Sequence, residues 1–395
     1  MINLVVVLVA LLASLGGAEA LLRAYPSLID IRSLTRFHED LRSPIAAKLG
    51  FATPKDRRLI KSDDRTDKGP PFNLYIPGGL YVNLVDQADI DVGATVERHM
   101  DVAGFCNPLD KADQASVDVV TLGDSFTFCQ VLDASDTFTA RIENQTGLTT
   151  YNLGVAGIGP YEYLEILRKF GLALKPRVVV MNVYEGNDLK DLIENIDFRA
   201  TGVPSEDKTR LGGPFAVSYA LAYMKAGIEL TYKQLKGKKI DFGYSIDVQG
   251  TEWQMNLGNS DIDEVKHARR IVSGEISFDL FEEPLTDFVA LAAEHGFIPV
   301  VTRLPSAHTA YHESVRFDTD VSHELAVYSQ TQGDWLAGNA DRIGYRFFDT
   351  VPVFREQVKT RPLAFYPANV HFTKEGHAIV AEMLGPELQK IVGAR

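Results

Sequence analysis

The feature that most constrains this chain is the run Arg177 to Tyr184, Arg-Val-Val-Val-Met-Asn-Val-Tyr. It is near-continuously apolar and rich in valine. A strand with no polar face is a strand buried on both sides, as happens inside a parallel sheet covered by helices. The surrounding sequence agrees. From Val117 onward, short β-branched runs alternate with helical patterns. Strands are expected at Val117–Leu122, Thr149–Leu153, Phe297–Val301 and Tyr345–Asp349, and helices at Asp136–Asn144, Pro160–Phe170, Leu285–His295 and Lys374–Val392. Gly147, Gly171 and Gly296 stand where three of these helices should stop. The pattern implies an α/β fold with a mainly parallel sheet and helices on both faces.

Three segments fall outside this rhythm. Residues 1–23 form an apolar N-terminal helix. Residues 24–112 read as an irregular pre-domain, with an exposed charged loop at Asp63–Pro71 and short strands within Tyr75–Val85. Residues from 190 to about 280 read as an insertion in a body that spans 113–395. Ala216–Leu235 suits an amphipathic helix, and Lys233–Lys239 is locally basic. The insertion is expected beside the active face, as a substrate lid or as surface decoration.

Ile2 to Ala18 carries no charge, and Glu19 and Arg23 end the run. Two export readings follow. Ala18-Glu19-Ala20 is a small-x-small pattern suited to cleavage of a signal peptide. A stretch of roughly 17 to 22 apolar residues also suits a retained anchor. Either reading places the body outside the cytoplasm, in the periplasm or secreted, with the membrane as a partner if the segment stays. The chain of 395 residues is 45% hydrophobic and 24% charged, enough for a large core. Its formal charge of −13 argues against nucleic acid or anionic lipid as the main partner, because both need a basic surface. The two cysteines, Cys106 and Cys129, form an even pair, and outside the cytoplasm such a pair often becomes a disulfide, the alternative being two buried free thiols.

In parallel α/β sheets, ligands bind beyond the carboxyl ends of the strands. The first strand ends in Gly123-Asp124-Ser125-Phe126-Thr127-Phe128, which exposes a serine at a turn. The second ends in Asn152-Leu153-Gly154-Val155-Ala156-Gly157-Ile158-Gly159, where glycines permit close backbone approach. The third ends in Tyr184-Glu185-Gly186-Asn187-Asp188, and Asn187 offers a side-chain amide. Asn369-Val370-His371-Phe372-Thr373 precedes the last helix. Taken together, these supply a nucleophile, oxyanion donors and a base.

These four blocks, GDSFTF, NLGVAGIG, YEGND and NVHFTKEGH, resemble those of the SGNH (GDSL-like) hydrolase superfamily, and the N-terminal segment resembles its membrane-anchored bacterial members. The resemblance covers Val117 to the C-terminus, apart from the insertion. It implies a flavodoxin-like three-layer α/β/α sandwich and no metal or organic cofactor. It implies Ser125 as nucleophile, His371 as general base, and an oxyanion hole made by the N–H groups of Ser125 and Gly157 with the Asn187 side chain. The reaction would be ester hydrolysis, or transfer of the acyl group to an acceptor, on an acylated small molecule or an O-acylated glycan.

Two positions depart from the family pattern. Where an aspartate usually precedes the histidine by two or three residues, this chain has Asn369 and Ala368. Three outcomes stay open. A Ser–His dyad can work with a backbone carbonyl as the histidine's partner, Asp349 at the end of a strand can substitute, or the site is crippled and the fold serves binding. Cys129 also replaces the glycine that related sequences tend to carry after Phe128, and pairing with Cys106 would pin the pre-domain to the helix after Ser125. Other polar residues have plainer expectations. His377 belongs to the last helix, six residues from His371 and so unsuited to a shared metal. Arg303, His308 and His312 can line the crevice. Asp124 and Asp188 are expected to hold loops.

Overall fold

The computed structural model describes residues 2–52, 57–60, 71–84, 95–108, 111, 114–201, 216–236, 242–256 and 259–394. Its N-terminal part holds helices α1 (Ile2–Ala24), α2 (Ile31–Leu34) and α3 (Glu39–Lys48). Two antiparallel strand pairs follow, β1 (Arg57–Ile60) with β2 (Phe72–Tyr75), and β3 (Leu80–Leu84) with β4 (Thr95–His99). Most of the Asp63–Pro71 loop lies outside the described residues.

The body begins with β5 (Val119–Leu122), α4 (Phe138–Thr146), β6 (Thr150–Asn152), α5 (Pro160–Ile166) and β7 (Val178–Tyr184). Next come α6 (Asp188–Thr201), α7 (Tyr219–Lys236), β8 (Phe242–Val248), β9 (Thr251–Asn256) and α8 (Asn259–Val272). The chain then forms α9 (Glu282–His295), β10 (Ile298–Leu304), α10 (Ala307–Ala310), β11 (Val315–Phe317) and α11 (Ser322–Ile343). It ends with β12 (Arg346–Asp349), α12 (Val351–Gln357) and α13 (Lys374–Gly393).

Five strands pair in parallel in the order β12-β10-β7-β5-β6. Read from the other edge, their chain order is 2-1-3-4-5, the flavodoxin-like arrangement, whose switch point lies between the first and third strands, here β5 and β7. Strand β7 shows why helices cover both faces. Val179, Met181 and Val183 enter one apolar cluster with Leu164 of α5, Phe288 of α9 and Leu336 of α11. Val178, Val180 and Tyr184 enter another with Phe138 of α4, Phe354 of α12 and Leu384 of α13. Alternate side chains of a strand point to opposite faces, so an all-apolar strand fills both layers at once. Helix α4 starts where Thr137 accepts from the Ala140 N–H and stops at Gly147, whose φ of 72° is the left-handed stop expected of glycine.

The insertion is more than decoration. Strands β8 and β9 form a hairpin, and β8 also pairs with β11, which belongs to the body. Phe242, Tyr244, Ile246 and Val248 alternate with Gly243, Ser245 and Asp247, the period-two pattern of a half-buried strand.

Two expectations need correction. No regular helix follows Ser125 directly. The main-chain and side-chain oxygens of Asp124 take the N–H groups of Phe126, Thr127 and Phe128, closing consecutive turns, and α4 starts only at Phe138. Cys106 and Cys129 are bridged, with Cα atoms 6.2 Å apart, so the disulfide ties the loop before β5 to these turns rather than to a helix. Nor is the expected membrane helix found: among the described residues, no helix is long and apolar enough to cross a membrane. The end of α1 is instead part of the folded body. Leu22 is buried against Tyr219, Ala220 and Ala226 of α7. The Glu19 carboxylate accepts from Ser218 Oγ and Ala220 N at 2.8 Å each, at the start of α7, and Arg23 donates to Glu19 at 2.6 Å and to the Val217 carbonyl at 2.7 Å.

Candidate active site

Strand β5 delivers Ser125 through a turn that only glycine permits. A Cβ on Gly123 would sit 2.0 Å from Thr127 Oγ1 and 2.8 Å from Thr127 Cβ. Gly154 is equally constrained, since a Cβ there would lie 2.6 Å from the Phe128 main-chain nitrogen. Asn152, at the end of β6, joins the two loops: its amide donates to the Thr127 carbonyl at 2.8 Å and its Oδ1 accepts from Gly154 N at 2.8 Å. These contacts hold the serine turn against the glycine-rich turn. Gly157 adopts φ 78°, in the left-handed region, and lines a cavity of about 300 Å³ together with Arg57, Phe72, Glu162, Asp191 and Asn195.

His371 reaches this turn from the far end of the chain. Its Nε2 lies 2.8 Å from Ser125 Oγ, and its Nδ1 lies 2.9 Å from the main-chain carbonyl oxygen of Asn369. A carbonyl only accepts, so Nδ1 carries the proton and Nε2 is left as the acceptor for the serine hydroxyl. The imidazole also packs on Phe126, with ring centroids 4.9 Å apart. Burial lowers the pKa of His371 to about 4, with the Asn369 carbonyl opposing the shift. The ring is therefore neutral at pH 7, the form able to take a proton.

The histidine's partner is a backbone group, and the local geometry explains how it gets there. Val370, between Asn369 and His371, has φ 56°. A β-branched residue in the left-handed region is a genuine outlier that persists only where its surroundings enforce it. Here the Val370 N–H donates to the Tyr366 carbonyl and the Tyr366 N–H donates to the His371 carbonyl, both at 2.8 Å. The Asn369 side chain bonds elsewhere, its Oδ1 accepting from the His371 main-chain N–H at 3.1 Å. Asp349 is not the substitute acid. Both of its oxygens are taken by the Arg303 guanidinium, at 2.8 and 3.1 Å.

Asn187, at the start of α6, donates its amide to Asp191 at 2.5 Å and stands near enough to the Asp124 carboxyl to favour that group's ionised form. The Ser125 hydroxyl lies 3.5 Å from the same Asp124 carboxyl, at the outer limit of a hydrogen bond, so one buried group spans the two strand ends. Asp188 accepts from Tyr163 Oη at 2.7 Å and from Tyr184 N at 3.0 Å, which fixes the turn after β7. Glu162 accepts from Gly159 N at 3.1 Å and from the Asn195 amide at 2.6 Å. This cluster of buried carboxyls was not anticipated from the sequence. Burial raises Asp124 to about 7, with Asp191 adding to the rise, and raises Glu162 to about 8. Burial also pushes Asp188 and Asp191 upward. Carboxyls that keep their protons leave room for a developing oxyanion nearby; ionised ones would repel it.

The remaining candidates lie in the framework. His377 is buried in α13, where its Nδ1 accepts from Phe138 N at 3.1 Å and so caps α4. Arg303 is buried and also bonds the Ser329 carbonyl. His308 is buried with Nε2 at 3.1 Å from Glu264. It lines, together with His312, a separate cavity of about 480 Å³ between α10 and α11.

The chain matches no family model and no curated protein. Among solved structures it is similar to a G-D-S-L family protein from Desulfitobacterium hafniense, with 14% identity, 68% of this chain and 97% of that one covered, and a TM-score of 0.33. It is also similar to an acetylxylan esterase from Geobacillus stearothermophilus, with 14% identity, 70% and 96% covered, and a TM-score of 0.36. An alpha/beta hydrolase from the metagenome of Lake Arreo, Spain, shows 13% identity, 70% and 97% covered, and a TM-score of 0.36.

Proposed function

We propose that this chain is an SGNH-type serine hydrolase that acts on ester bonds through a Ser125 acyl-enzyme. The observation that carries the reading is the continuous bonded path from Ser125 Oγ to His371 Nε2, at 2.8 Å, and from His371 Nδ1 to the Asn369 carbonyl, at 2.9 Å. His371 takes the serine proton as Oγ attacks the ester carbonyl. The imidazolium that forms keeps its Nδ1–H on the carbonyl oxygen, a dipole standing where related enzymes place a carboxylate. The N–H groups of Ser125 and Gly157 receive the oxyanion, joined by the amide N–H of Asn187 that is not donated to Asp191. Collapse expels the alcohol, protonated by His371, and leaves the acyl group on Ser125. Water then releases the acid with His371 again as base.

The proposed setting is extracytoplasmic, as an esterase or deacetylase of O-acylated glycans. The Cys106–Cys129 bridge supports that compartment, since such bonds persist where the surroundings are oxidising. Labelling with a fluorophosphonate tests the chemistry: wild type should be modified and Ser125→Ala should not. A wild-type chain that stays unlabelled would turn the reading toward a binding module. An acetyl-ester donor given with and without a glycan acceptor separates hydrolysis from transfer, because the two share the acyl-enzyme and differ in what attacks it.

A further inference from the structure

The imidazole's orientation rests on a main-chain carbonyl, and main-chain carbonyls swing when a peptide plane rotates. The two peptides immediately before Asn369 are held from outside the loop. The Pro367 carbonyl accepts from Asn256 N and the Ala368 carbonyl accepts from Asn256 Nδ2, both at 2.8 Å. Asn256 is the last residue of β9, in the insertion, 112 residues away from Ala368 in the chain. It is itself well anchored. Met255 beside it is fully buried in the cluster that contains Phe365 and Phe372, the residues flanking the histidine loop. Strand β9 pairs with β8, and β8 with β11 of the body.

We propose that Asn256 is a positioning residue that holds the Asn369 carbonyl on His371 Nδ1, so that the inserted hairpin completes the site in place of the missing acidic residue. This rests on the proposed role of His371 as base. Two bonds from one residue to successive carbonyls fix the tilt of two consecutive peptides. The third carbonyl in the series, that of Asn369, follows through the Asn369 backbone torsions, shares its peptide plane with the Val370 N–H that bonds the Tyr366 carbonyl, and meets the imidazole because Val370, at φ 56°, turns the chain back toward it. Freed from Asn256, the loop can relax toward ordinary backbone angles, and the carbonyl leaves Nδ1. A ring without that partner populates both tautomers, and the tautomer with the proton on Nε2 cannot accept from Ser125.

The test uses the full chain with three variants. Asn256→Ala removes the side-chain bond. Asn256→Asp keeps the shape and the main-chain N–H but presents an acceptor to the Ala368 carbonyl. Gln254→Ala alters an exposed residue of the same strand and serves as the control. Fluorophosphonate inactivation should show a maximal rate about 10- to 100-fold lower in both Asn256 variants, with reagent affinity and melting temperature near wild type. Gln254→Ala should match wild type. In ¹⁵N-histidine spectra, wild type should show His371 with its proton on Nδ1, and Asn256→Asp should show a mixture. Wild-type rates in both Asn256 variants, or an unchanged single tautomer in Asn256→Asp, would overturn the proposal. If wild type itself resists the reagent, the nucleophile reading has failed, and the tautomer comparison still decides the clamp.

Discussion

At the scale of single residues, the question is what Asn369 contributes. Its side chain bonds the His371 main chain at 3.1 Å, whereas the group on the imidazole is its main-chain carbonyl. Asn369→Ala therefore deletes the Oδ1 hydrogen bond to the His371 main chain, worth about 1 kcal/mol, and leaves the carbonyl in the chain. Turnover should stay within about tenfold of wild type, measured on any ester the enzyme accepts. A loss near 10⁴-fold, as when the triad acid of a serine protease is replaced by asparagine, would mean that the side chain orients the ring after all. That Ser125 and Asn187 stand just beyond the carboxyl ends of neighbouring parallel strands was legible in the sequence, because each follows an apolar run and a parallel sheet gathers such ends. The carbonyl of Asn369 was not legible. A backbone carbonyl was one of the open expectations for the histidine's partner, but every residue has one, and which of them meets the ring depends on the torsions of Asn369 and Val370, which no residue type announces.

At the scale of elements, the disulfide and the hairpin show what a one-dimensional reading can reach. Pairing two lone cysteines needs no geometry, and Cys106 and Cys129 are joined. What the bond joins was less visible, because the turns after Ser125 owe their shape to one buried residue, Asp124, rather than to any periodic pattern. The bridge spans 23 residues, and closing a loop of that length in the unfolded chain corresponds to about 3 kcal/mol. Replacing both cysteines with serine should lower stability by that order in denaturant unfolding, with Arg98 Nη1, which donates to the Cys129 carbonyl at 2.9 Å, left as an anchor of the turn. Unchanged stability would show that Arg98 and the packing around the turns hold them without the bond. The β8–β9 hairpin did carry a signal in its alternating Phe242, Tyr244, Ile246 and Val248. Its function did not, since contact between Asn256 and the histidine loop is a product of tertiary packing.

At the scale of the whole molecule, the buried titratable groups pull stability in opposite directions with pH. His371 and His377 are depressed from 6.5 to about 4 and about 3, both mainly by burial, so the stability tied to their neutral forms is present above pH 6.5 and lost as pH falls. Glu162 and Asp124 are raised from 4.5 to about 8 and from 3.8 to about 7, again mainly by burial. Their folded forms bind protons that the unfolded chain has released, so their contribution is complete below the unfolded values and fades as pH rises through the folded ones. The two effects oppose each other below pH 6.5. Above it the histidines are neutral in both states, and only the carboxyls still titrate. The melting temperature should therefore fall between about pH 6.5 and 8, by the equivalent of roughly 1–2 kcal/mol for each carboxyl titrating across the window. Glu162→Gln keeps an oxygen for Gly159 N and the Asn195 amide while removing the proton, and its melting temperature should fall less over the same range. Calorimetry on both proteins at several pH values decides the matter: a flat or rising wild-type profile, or an identical decline in Glu162→Gln, would mean that these carboxyls are solvated enough to ionise without cost.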